Sequence, residues 1–271
     1  MSPCLPLHFA ESREPNAPSE PASPGYPHPS TAIVARGRRK DEPFVSDFQR
    51  NLARLKNDIV VQAQRVQELF LRGVECFFDN DVAKAEQVIE GDRVIDRADV
   101  EIERACIPLL GMGETDEYNI RSVLTIVKVN NELERIADCA VNVAEAVKQG
   151  DGSNVPIPPT FRVMANSVVG MIRDTNRALA SRDVRTAESV LEFDDTVDRF
   201  KREILLDAQK RVAAGTFPVD FAFRLHAVTK SIERAADHCT NICEQVIYLE
   251  TGRIVRHLAS GWTDPENPEL L

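Results

Sequence analysis

Residues 134–145 read ERIADCAVNVAE, and residues 233–244 read ERAADHCTNICE. Glu134, Arg135, Ala137, Asp138, Asn142 and Glu145 recur as Glu233, Arg234, Ala236, Asp237, Asn241 and Glu244, a shift of 99 residues. A second matched pair lies upstream: DVAKAEQVIEGDRVID at 81–96 and DVRTAESVLEFDDTVD at 183–198, identical at eight of sixteen positions and shifted by 102. The two shifts differ by three, so the length change falls in a loop between the motifs. Such a pattern defines a tandem duplication of a unit of roughly a hundred residues, large enough for each copy to fold around its own core.

The periodicity around these motifs is helical. Phe44, Phe48, Leu55, Ile59, Val66, Leu69 and Phe77 recur at helix spacing, which predicts a long amphipathic helix ending near Phe78. Asp79-Asn80-Asp81 breaks it and supplies the next N-cap, and a second helix is expected from Val82 to about Leu110, stopped by Gly111-Met112-Gly113. Thr115, Asp116 and Glu117 open a third helix that ends around Gly150. Gly152, Pro156, Pro158 and Pro159 mark a linker over 151–159. The pattern then repeats, with helices over about 160–180, from the Ser181-Arg182-Asp183 break to about Ala214, and from Pro218 onward. No strand signal competes. The expected fold class is all-α, two tandem three-helix bundles over 42–150 and 160–258.

Both tails read differently. Residues 1–41 are rich in Pro and Ser and are expected to form a disordered arm, with a short basic cluster at Arg36, Arg38, Arg39 and Lys40. Residues 259–271 are expected to be loose.

Composition narrows the function classes. A net charge of −10 argues against direct nucleic-acid binding. The six cysteines form no CxxC pair and suit reduced thiols better than a disulfide framework. No apolar run reaches the ~18 residues of a membrane span, and no signal peptide is evident, so a cytoplasmic location is expected. The chain has no HExxH, no GxSxG, no phosphate loop and no ExxH pair, so no catalytic apparatus is visible.

The carboxylates ask for an explanation. Asp92/Asp96, Glu134/Asp138, Asp194/Asp198 and Glu233/Asp237 are four i,i+4 acidic pairs at matching places in the duplication. Each pair shares a helix face and repels by about 0.2–0.5 kcal/mol. An antiparallel hairpin around residue 113 brings Glu134 and Asp138 within about a turn of Asp92 and Asp96, and a turn near residue 215 does the same for Asp194, Asp198, Glu233 and Asp237. Asn142 and Asn241 lie one turn further. Oxygen-only clusters suit hard cations such as Mg²⁺, Mn²⁺, Ca²⁺ or ferric iron. The competing reading is a salt-bridged surface in which Arg135, Arg234, Lys128, Arg93 and Arg97 neutralise the acids. His238 points about 100° away from Asp237 and reads as a surface residue rather than a ligand. Cys239 and Cys243 read as buried thiols.

DRVID at 92–96, ERIAD at 134–138, DTVD at 195–198 and ERAAD at 233–237, with NIRSVL at 119–124, resemble the PhoU family, the phosphate-uptake regulators of bacteria. The resemblance spans about residues 44–255. It implies two three-helix bundles, a homodimer, and metal (iron, Mn, Mg or Zn) held by Asp92, Asp96, Glu134 and Asp138 in one cluster and Asp194, Asp198, Glu233 and Asp237 in the other. It also implies a non-catalytic adaptor that links a phosphate ABC transporter ATPase to a sensor histidine kinase, reaches the membrane only through those partners, and restrains the starvation response when phosphate is plentiful. The chain departs from the family pattern in its Pro-rich arm and at Asn119, where an acidic residue is usual. Two other classes compete with the adaptor: a metal store or metal-dependent helical enzyme using the same acids, and a metal-free helical scaffold.

Overall fold

The computed structural model describes residues 46–113, 116–150, 155–258 and 261–263; the expected N-terminal arm lies outside them. Six long helices carry the fold: α1 (Asp47–Asp79), α2 (Val82–Gly111), α3 (Glu117–Lys148), α4 (Pro159–Ser181), α5 (Val184–Ala213) and α6 (Val219–Thr251).

Local chemistry sets their ends. The Ser46 hydroxyl accepts from the Gln49 amide at 3.1 Å, so α1 begins three residues after the expected Phe44. Asn80 takes the left-handed conformation at φ 52°, which ends α1 and lets Asp81 accept from the Lys84 amide at 3.0 Å. Arg182 repeats that turn at φ 57°, and Asp183 repeats the cap on α5. Asp116 caps α3 through the Asn119 amide at 2.9 Å. At α6, Pro218 is the cap residue itself, and Gly252 at φ 75° closes the helix.

Helices α1–α3 and α4–α6 form the two bundles. They share one core rather than holding one each, and the described residues make a single compact unit. The most extensive helix pairing in the molecule is α3 with α6, across the repeats, and α1 lies against α4 beside it. Phe161 of α4 is fully buried against Phe77 and Phe78 of α1, at ring distances of 5.2 and 6.1 Å. Within the first bundle α1 and α3 approach closely: a Cβ on Gly73 would stand 3.2 Å from the Ala140 carbonyl oxygen. Gly73→Val is therefore expected to lower stability by about 1–3 kcal/mol, read as a shift of the urea midpoint at constant slope.

Past α6 the structure differs from the loose tail expected after residue 258. Strand β1 (Arg256–Leu258) pairs antiparallel with β2 (Gly261–Thr263), with His257 opposite Trp262. Three-residue strands are too short for alternation to reveal in sequence.

Candidate metal centres

In the first repeat, α2 carries Asp92 and Asp96 and α3 carries Glu134 and Asp138. Lost hydration between the helices, and then the charges of Asp96, Asp138 and Glu134, push the Asp92 carboxyl up to about 6. Glu134 is also raised, by lost hydration and then by Asp138, with Arg135 opposing. The four acids thus crowd one another as the spacing requires. The register is fixed nearby, where Asn130 of α3 donates to the Asp99 carbonyl at 2.9 Å and to its carboxylate at 2.6 Å. Arg135 reaches Glu134 at 3.4 Å and Asp138 at 3.9 Å, long ion pairs at an exposed edge. Arg93 pairs with Glu90 and Arg97 donates to the Arg93 carbonyl, which are local contacts along α2.

The second repeat gathers its acids in the same way but answers them differently. Lost hydration, then Glu233 and Asp194, push the Asp237 carboxyl up to about 7, with His238 opposing and Asp198 adding. Lys201 of α5 reaches Glu233 of α6 at 2.7 Å, and Arg202 lies 4.0 Å from Asp198. By the shift of 102, Lys201 corresponds to Asp99. The first repeat therefore has a fifth acid where the second has an ammonium. Lys201 is absent from the neutralising groups expected from sequence because the acid it pairs with, Glu233, lies on another helix.

These residues fit a hard cation by donor type, an all-oxygen set in which a positive ion would relieve the raised Asp92, Glu134 and Asp237 carboxyls. Among the described residues, no three Asp, Glu, His or Cys side chains stand together as a ready-made ligand set. A bound cation would have to draw the carboxylates inward against their mutual repulsion in its absence.

The seam between the repeats holds residues that sequence reasoning misplaced or missed. His238 is not a surface residue. Its side chain is 15% exposed and its Nδ1 lies 2.7 Å from Glu132 of α3. The Asn241 amide donates to the same Glu132 oxygen at 3.0 Å, so it serves the seam rather than extending the carboxylate set. Glu132 lies two positions from Glu134 and so faces another side of α3, outside the repeated stripe. Cys239 and Cys243 are buried as expected, and Cys139, also buried, stands close enough to both acidic groups to feel Asp138 and Asp237.

Glu244 of α6 is buried with Arg256 as its ion-pair partner. Burial pushes its carboxyl up to about 7; Arg256 and Lys128 oppose the shift, and Glu132 adds to it. The folded pKa lies above the unfolded value, so folding takes up a proton between them and the contribution of Glu244 falls as pH rises from about 4.5 to about 7. Glu244→Gln should accordingly gain stability relative to the parent across that window. Melting curves at stepped pH check this, and a constant difference would contradict it.

Fold and acidic faces together define a doubled three-helix-bundle protein with a carboxylate group in each half. Residues 60–147 and 161–246 match the family model of the PhoU domain. The chain belongs to the PhoU family. It is 32% identical over 211 residues to a phosphate-specific transport system accessory protein PhoU homolog of Aquifex aeolicus, covering 77% of this chain and 95% of that one. It is 28% identical to the PhoU homolog 1 of Thermotoga maritima, covering 79% and 93% of the two chains. The crystal structure of PhoU from Pseudomonas aeruginosa superposes with a TM-score of 0.73 at 26% identity, over 76% of this chain and 99% of that one. Among the described residues no helix is long and apolar enough to cross a membrane.

Proposed function

We propose that this chain is a non-catalytic, metal-binding adaptor of phosphate-specific transport. It couples a phosphate ABC transporter ATPase to a sensor histidine kinase and restrains the starvation response when phosphate is plentiful. The observation that carries this reading is the twofold gathering of four carboxylates from two helices, Asp92, Asp96, Glu134 and Asp138 and then Asp194, Asp198, Glu233 and Asp237, in a chain without a catalytic motif. The names of its relatives, accessory proteins of phosphate-specific transport, support the same reading. Iron, Mn, Mg or Zn on these acids would supply positive charge that draws α2 to α3 and α5 to α6, and so would set the shape of the face offered to partners. The adaptor works in the cytoplasm as a homodimer and meets the membrane through those partners.

The test uses the full chain, metal-loaded and after chelation, against the transporter ATPase and the cytoplasmic part of the kinase. Binding to both that weakens on chelation is expected. A strain deleted for the gene should derepress a phosphate-starvation reporter and regain repression with the parent chain. Absence of binding to either partner, with the reporter unaffected by deletion, would refute the adaptor.

A further inference from the structure

Toward the α5–α6 turn the second repeat opens an apolar groove of about 550 Å³ between the two helices. Leu205 and Val212 of α5 and Val219 and Phe223 of α6 line it. Ala208 is buried and Ala222 half-buried among them, small residues that leave depth between larger neighbours. Phe223 is 70% exposed and Val219 54%, although the chain buries most of its large apolar side chains. The first repeat exposes apolar residues at the matching places: Ile120 and Leu124 stand for Val219 and Phe223, and Ile107 and Leu110 for Gln209 and Val212. Both hairpins thus end in apolar surface that the fold itself leaves uncovered. Their depth differs. Where the second repeat has Ala208 and Ala222 the first has Cys106 and Val123, and Glu103 takes the place of Leu205.

Charge narrows what fits this groove. Among the described residues that line it none is acidic, in a chain with 43 Asp and Glu. At the end away from the turn, Arg202 stands about one turn before Leu205 and Lys230 about one turn after His226, both exposed. Arg202 reaches the Asp198 carboxylate only at 4.0 Å. Residues 201–213 and 219–230 together carry six Lys or Arg against three Asp or Glu, the reverse of the balance that gives the chain its charge of −10. The groove is therefore apolar inside and positive at one rim.

We propose that the groove seats an amphipathic helix of another protein. Bulky apolar residues at i, i+4 and i+7 of that helix pack against Phe223 and Val219, and acidic residues on its flank face Arg202 and Lys230. A helix presents a row of side chains at this spacing, and the cleft between two antiparallel helices receives such a row as ridges enter grooves. A bilayer surface would bridge the cleft and leave the space over Ala208 empty. A twofold pairing of two copies through this face would bring two positive rims together. The occupant follows from the chemistry of the groove, whichever protein supplies it, and so stands apart from the metal and the partners named above.

The test is selection on the full chain from a displayed library of helical peptides with randomised apolar and flanking positions. Synthetic peptides of the selected sequences are then titrated by fluorescence anisotropy. Selected sequences should keep bulky apolar residues at that spacing with Asp or Glu on one flank, and should bind at one per chain. Phe223→Ala should weaken them at least about tenfold while its melting temperature stays within error of the parent. Lys230→Glu should weaken them too, and peptides with Lys in place of the flanking acids should regain affinity for that variant. Failure to select any peptide that Phe223→Ala weakens, or indifference to flank charge in both backgrounds, would overturn the proposal. Binding to phosphatidylglycerol vesicles that Phe223→Ala abolishes would overturn it in favour of a lipid surface. A change of sedimentation in Phe223→Ala would do so in favour of a second copy.

Discussion

The variant Asp92→Asn/Asp96→Asn/Glu134→Gln/Asp138→Asn is expected to bind about half the metal of the parent chain, because the second repeat keeps its own oxygen donors. Its stability should move in opposite directions with and without metal. Metal-free, the amides remove a partly buried charge and the crowding around it, which together raise Asp92 to about 6, so the variant should melt above the parent. With metal at about a hundredfold over its dissociation constant, the parent gains about 2.7 kcal/mol per occupied site and the order should reverse for the first-repeat contribution. The first repeat should also hold its metal more tightly, since Asp99 stands where the second repeat has Lys201 beside Glu233. Elemental analysis of protein never exposed to chelator, with paired melting curves, checks both statements. No metal in either protein, with both equally folded, would end the metal assignment and leave the family relationship to carry the function.

Phe161→Ala should be the most damaging single truncation, at about 3–5 kcal/mol. The ring is fully buried between α4 and α1, and its tilted and edge-on contacts with Phe77 and Phe78 add about 0.5–1.5 kcal/mol per pair beyond area burial. For a folded part of this size each kcal/mol lowers the melting temperature by about 2–4 °C. Phe223→Ala is the control, 70% exposed and expected to change stability by no more than about 0.5 kcal/mol. Because Phe161 joins the repeats, both should lose stability together in one transition. Two separated transitions, with only the second repeat affected, would show that the bundles are held apart and not by one core.

The helices were legible because their signals are local. Apolar residues at a 3.6 period, Asp81 and Asp183 as caps, and the glycine stops each speak within a few positions of the boundary they set. The crowding of the acids was legible for a related reason: i,i+4 spacing and hairpin register place them before any partner is known. What failed was everything decided across the duplication. Periodicity gives the face of a helix but not which face it meets, so neither the shared core nor the Glu132–His238 contact could be read. Along α6 alone His238 points away from Asp237 and toward solvent, but α3 covers that side. The β1–β2 pair escaped because each strand is three residues long.

That Glu132–His238 contact has a consequence for the history of the chain. In an assembly of two identical copies every asymmetric bond is made twice, once in each direction. Here it is made once, because 99 positions along from Glu132 the chain has Ser231, and 99 positions back from His238 it has Cys139. Joining the copies in one gene released each from mirroring the other, so mutation could write a direction across a junction that began without one. The molecule has a front half and a back half, and a binding partner can tell which it has met.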